Sequence, residues 1–258
     1  MFNFFKKESD VLHLDAYTTD PVAYEYIPLV KTNKTIPQWW KDLPVVPGKD
    51  ENGLPIRKGH NMKTCTGFID LYKYGLVLEY WNDLVITVDP KKGLGLQYGY
   101  EQSKKDGPHP QYQWGKGFPN HYHLKLNSPW FIKEKTGADF LFCPAMWSMD
   151  QIETPKIMTG VIAFKYQLQI NVNMFFPIRS KSYKVKLTRG TPLIQIIPLC
   201  QKKINLESHL ITQQEDSILQ RPYTPELAGN YPVKKRMFQR VEEREAEEKC
   251  PFNWFNRS

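Results

Sequence analysis

The sequence predicts a mainly β fold: a jelly-roll-like sandwich or barrel with a C-terminal helical appendage. Three observations carry that expectation. Apolar and polar residues alternate over many short stretches before Cys200, prolines and glycines separate those stretches as turns, and helical spacing takes over only beyond Cys200. Residues 1–205 are therefore expected to form one β-rich domain. Residues 206–258 are expected to be a helical C-terminal extension packing on that domain or on a partner subunit. A chain of 258 residues fits a single large β unit, and its 14% aromatic content supplies bulky side chains for a core.

Near the start, Ile36-Pro37-Gln38-Trp39-Trp40-Lys41 reads as an extended entry into a short helix, with two indoles to anchor it. A loop rich in Pro, Gly and charge follows from Leu43 to Asn61. Phe68–Tyr72 and Leu76–Tyr80 read as strands flanking a break at Lys73–Gly75, and Leu84–Val88 alternates up to the turn Asp89-Pro90-Lys91-Lys92-Gly93. The clearest strand is Lys165–Phe175. Tyr166, Leu168, Ile170, Val172 and Met174 share one of its faces, and Lys165, Gln167, Gln169, Asn171 and Asn173 share the other.

Alternation continues in Tyr183–Leu187. The turn Thr188-Arg189-Gly190-Thr191 then leads into a strand bracketed by Pro192 and Pro198. Beyond it, Glu207–Leu219 is expected to be helical, Arg221–Pro232 to be a connection, and Val233–Lys249 to be a charged helix with a narrow stripe of Val233, Met237, Phe238 and Val241. The expected core includes Phe68, Leu78, Trp81, Ile86, Trp130, Phe142, Leu168, Ile170, Val172, Ile194 and Ile196.

Composition narrows the function classes. No run approaches the length of a membrane-spanning helix, and the first residues lack the charge-then-apolar order of a secretory signal, so a cytoplasmic protein without membrane contact is expected. Cys65, Cys143, Cys200 and Cys250 lie far apart, without the spacing of a disulfide framework or structural zinc site, and are expected to be reduced and mostly buried. A net charge of +8 points toward an acidic or polyanionic partner, provided that the dispersed basic groups meet on one face.

Two constellations bear on chemistry. Alternation in His121-Tyr122-His123 places both imidazoles on one sheet face, where they would hold a divalent metal such as iron, zinc or manganese. The pattern resembles the His-x-His of metal-dependent cupins, double-stranded β-helix enzymes, but Lys125, Asn127 and Ser128 stand where an acidic ligand would follow. His109, Asp139 and Glu153 are the remaining candidates for a third ligand, and His209 is expected in a helix. His13-Leu14-Asp15 has the His-x-Asp form but stands ahead of the main strands. The second constellation is the amide face Gln167, Gln169, Asn171 and Asn173 together with Trp114 of the segment His109–Trp114, a combination suited to sugars or nucleobases.

Taken together, Ile36-Pro37-Gln38-Trp39-Trp40-Lys41, Cys65-Thr66-Gly67-Phe68-Ile69-Asp70, Trp81-Asn82-Asp83-Leu84, Leu126-Asn127-Ser128-Pro129-Trp130 and Gly190–Pro198 resemble an uncharacterised family of proteins of tailed bacteriophages and some bacteria. The resemblance spans roughly residues 35 to 200 and implies no activity. The expectation is a non-catalytic, phage-encoded binding or structural protein that self-associates through residues 233–255. A metal-dependent enzyme using His121 and His123, and a nucleic-acid or nucleotide binder with a basic surface, are the alternatives.

Overall fold

The fold is built mainly from β-strands with a few short helices, and is seen in a computed structural model that describes residues 10–43, 49, 51–54, 63, 65–99, 107–109, 117–145, 155–221 and 231–248. In chain order the elements are β1 (Val11–Thr18), α1 (Pro21–Tyr26), β2 (Val30–Lys31), α2 (Gln38–Asp42), α3 (Thr66–Lys73), β3 (Leu76–Glu79), β4 (Leu84–Asp89) and β5 (Gly93–Tyr98). Then come β6 (Gly107–His109), β7 (His121–Glu134), β8 (Asp139–Pro144), β9 (Lys156–Ile157), β10 (Gly160–Ala163), β11 (Gln169–Pro177), β12 (Tyr183–Leu187), β13 (Pro192–Pro198), β14 (Lys203–Leu210), α4 (Gln213–Gln220) and α5 (Tyr231–Glu248).

The strands form three sheets. The first runs β14-β1-β7-β11-β9, with β6 also pairing β7; the second runs β10-β8-β13-β3-β2; the third is β12-β4-β5. Every pair is antiparallel except β1 and β14, which run parallel from Val11 opposite Lys203 to Thr18 opposite Leu210.

Alternation explains the shared core. Leu12, Leu14 and Ala16 of β1, Leu124 and Leu126 of β7, and Ile170, Val172 and Met174 of β11 face inward from the first sheet. They join Leu76, Leu78, Phe140, Ile194 and Ile196 of the second sheet and Leu84, Ile86 and Leu187 of the third. Trp130 is fully buried, and its indole N–H donates to the Ile27 carbonyl at 2.8 Å, so the polar edge of the largest core side chain is satisfied. Glu134 is also buried. Its carboxylate accepts from the backbone N–H groups of Thr136, Gly137 and Ala138 at 2.7, 2.7 and 3.1 Å, which makes it the organising group of the β7–β8 turn.

Several expectations hold at this level. Of the expected core residues, Leu78, Trp81, Ile86, Trp130, Phe142, Leu168, Ile170, Val172, Ile194 and Ile196 are buried, while the side chain of Phe68 lies outside the described set. The strands expected at Tyr183–Leu187 and Pro192–Pro198 appear with those bounds. The last helix appears as α5.

Other expectations are corrected. Phe68–Tyr72 belongs to helix α3, because its apolar residues also suit helical spacing and Cys65 starts a helical turn with Ile69 N–H donating to its carbonyl. Glu207–Leu219 is not one helix: Glu207 to Leu210 lie in β14, and the helix begins only after Thr212, whose hydroxyl and Glu215 form a reciprocal cap. The 205/206 position therefore falls inside a strand of the first sheet. His209 sits in that strand, and His13-Leu14-Asp15 sits in β1, an interior strand of the same sheet. Lys165 and Tyr166 lie in a turn, and Gln167 and Leu168 follow it before β11 begins. Trp40 is buried but Trp39 is exposed, so one indole anchors α2. Cys65 is an exposed thiol, and Cys143 and Cys200 are half-buried free thiols. Among the described residues no helix is long and apolar enough to cross a membrane.

Candidate functional site: an amide-walled cleft

The outward face of β11 and of the turn before it carries the residues that the alternation singled out. With Ile170, Val172 and Met174 committed to the core, Gln167, Gln169, Asn171 and Asn173 point the other way. The antiparallel register with β7 sets Asn173 opposite Lys125, Asn171 opposite Asn127 and Phe175 opposite His123. Two polar rows from distant parts of the sequence thereby become one surface.

This surface forms one side of a cavity of about 400 Å³. Its polar side is His123, Lys125, Gln167, Gln169, Asn171 and Asn173; the other side is Phe142 and the segment from Met158 to Ile162. Met158 and Thr159 link β9, on the edge of the first sheet, to β10, on the edge of the second, so the connection and the start of β10 close one flank. Among the described residues no carboxylate lines the cavity, and its volume lies in the range of small-molecule sites.

Local interactions hold the polar groups in place. His123 Nε2 lies 2.9 Å from Asn173 Oδ1, and the imidazole stacks on Phe175 with ring centroids 4.6 Å apart and planes 6° from parallel. Phe118 stacks on Phe175 with ring centroids 4.5 Å apart and meets His121 edge-on at 5.7 Å. The Asn171 Oδ1 atom is buried and accepts no hydrogen bond within the described residues. An acceptor in that state loses water without compensation, and a ligand donor would supply it.

Electrostatics follow from burial. Partial burial pulls the Lys125 ammonium below the ordinary lysine range, because desolvation penalises its charged form. His121 is lowered from the usual imidazole value by burial first and by the positive charge of Lys156 second. The Cys143 thiol is raised by burial, which keeps it in its unreactive protonated form.

The residues expected from sequence are thus partly brought together. His123 meets the four amides in one cavity. His121 lies on the same strand face but outside the cavity lining, and no third His, Cys, Asp or Glu donor gathers with the two imidazoles among the described residues. Register places His109 of β6 opposite His123. Trp114 and Glu153 lie outside the described residues. Lys125 was the member missed; the same alternation that pairs His121 with His123 continues to Lys125 and Asn127, which was the available signal. The 158–162 flank had no signal in its own sequence, since its position depends on which sheet edges it joins. No protein-family model matches the chain, and no curated protein does.

Proposed function

We propose that the chain is a non-catalytic binding protein, phage-encoded as its family resemblance implies, that holds a small polar ligand in the amide-walled cleft. The observation that carries this reading is the convergence of four carboxamides, His123 and Lys125 on one side of a cavity with no carboxylate among its described lining residues. Carboxamides do not titrate and offer both donors and acceptors, which equips the wall for recognition of hydroxyl or base edges rather than for proton transfer. The His123 ring, stacked on Phe175, adds an aromatic group to the cleft lining, a kind of group that sugars and nucleobases use. The jelly-roll-like wrap of the sheets and self-association through residues 233–255 belong to the same proposal.

Saturation-transfer NMR against a panel of mono- and disaccharides, nucleosides and nucleotides tests the reading. At least one class should bind, and Asn171→Ala should weaken it by roughly tenfold, the equivalent of about 1.4 kcal/mol for a lost buried hydrogen bond. No binding across the panel, or binding indifferent to Asn171→Ala and Lys125→Met, would overturn it.

A second reading, polyanion binding, is favoured by one separate feature. Arg179, Lys181, Lys184, Lys186 and Arg189 are all exposed within eleven residues, and no acidic residue interrupts them. Lys184 and Lys186 share the outward face of β12, opposite Thr87 and Val85 of β4. Retention on heparin that falls steeply with salt, and falls further in a Lys184→Gln/Lys186→Gln double variant, is the expected signature. Elution at low salt unaffected by the variant would dismiss this reading.

A further inference from the structure

At the opposite edge of the first sheet, away from the amide cleft, the parallel pairing of β1 with β14 sets like charges against each other. Asp15 stands directly opposite Glu207, and Tyr17 opposite His209. Leu12, Leu14 and Ala16 face the core, so His13 and Asp15 face outward, in step with Asn205, Glu207 and His209 on the neighbouring strand. Carboxylates directly opposite one another across a strand pair are destabilising unless a cation stands with them.

We propose that Asp15, Glu207 and His209 form a binding site for one divalent transition-metal ion of the zinc class. Their donor atoms all lie within 4.8 Å of one another, and His209 Nε2 is 3.3 Å from Asp15 Oδ1. One imidazole and two carboxylates are a donor set that zinc accepts with a fourth position left to water, whereas calcium and magnesium favour oxygen donors alone. The three side chains come from two strands held in register, so the backbone positions them before any ion arrives.

The flanking residues fit that assignment. Asn205 Nδ2 donates to Glu207 Oε1 at 3.2 Å and lies 3.4 Å from His13 Nδ1, an outer layer that steers the Glu207 carboxylate. Lys133 of β7 is opposite Asp15 on the other side, and its positive charge is the competitor the ion must outmatch. The site is independent of the cleft: Tyr17, Phe131 and Leu168 make a separate apolar cluster on this sheet, joined by Ile211 and Leu219. The imidazoles of His121 and His123 take no part.

Isothermal titration of the full chain with Zn²⁺ is the test, with Ca²⁺ and Mg²⁺ as controls. One equivalent of Zn²⁺ should bind, and Asp15→Asn and His209→Ala should each weaken it at least about tenfold, while His121→Ala/His123→Ala leaves it unchanged. In the unaltered chain, Zn²⁺ should shift the His209 imidazole resonances before those of any other histidine, a readout that needs no variant to fold. Absence of zinc binding, equal binding by Asp15→Asn and His209→Ala, or loss of binding in the His121→Ala/His123→Ala variant would overturn the assignment.

Discussion

Gly75 shows how a single residue ties two strands. It holds φ at +96°, a region that L side chains rarely adopt, and a Cβ there would run into the Ile196 carbonyl oxygen on the neighbouring strand. Its own carbonyl accepts from Thr32 N–H at 3.2 Å, so the same residue links α3, β3 and the β2 end of the second sheet. Gly75→Ala should therefore lower stability by roughly 2–4 kcal/mol, through the strained φ and the displaced strand together. Urea denaturation measures this, and a loss below about 0.5 kcal/mol would show that the β3–β13 pairing yields more readily than the geometry implies. Asn171 belongs to the same scale: one acceptor atom, buried without a partner among the described residues, distinguishes the cleft from an ordinary solvent face.

At the scale of elements, α5 is the one whose surroundings decide its role. Its spacing predicts a narrow apolar stripe, and the stripe divides. Phe238 packs on Tyr166 at 5.8 Å, Lys235 stands over the same ring at 5.8 Å, and Glu242 pairs with Lys165 at 2.7 Å, so one side of the helix docks on the turn before β11. Met237 and Val241 remain 40% and 52% exposed. Those two side chains are the surface on which the proposed self-association draws, while residues 249–255 lie outside the described chain. Deleting everything from Pro232 onward should convert an oligomer into a folded monomer by light scattering; a monomer before and after deletion would refute assembly. The deletion should also cost about 1–2 kcal/mol of stability from re-exposed Tyr166, since the docking contact is intramolecular.

Across the whole molecule, three sheets share one core, and each functional candidate lies on a surface that the core leaves over. The amide cleft occupies the outward face of β7 and β11, the proposed zinc-class site the outward face of β1 and β14, and the basic strip β12 with the residues that flank it. Tryptophan 130 illustrates the coupling: its indole reaches the Ile27 carbonyl across 103 residues of sequence, fixing the N-terminal connection to the centre of the first sheet. Long-range ties of this kind give non-local topologies their slow folding and their rigid surfaces.

Much of this was legible in the sequence alone. Period-two alternation determined the mainly β class, the strands at Tyr183–Leu187 and Pro192–Pro198, nearly all the expected core and the outward amide row, because a pleated strand sends alternate side chains to opposite faces whatever surrounds it. Helical spacing likewise located α5. Short apolar runs were ambiguous: Phe68–Tyr72 satisfies either period, and Lys203–Leu210 alternates too weakly at the sheet edge to distinguish itself from a helix. Only the tertiary structure decided which strands lie side by side. Register turned His123, Lys125 and Asn173 into one wall, and a parallel pairing joined Asp15 to Glu207 and His209 across almost the whole chain. The physical reason is that local periodicity assigns a side chain to a face, whereas the neighbour it meets there depends on burial and hydrogen bonding summed over all the strands at once.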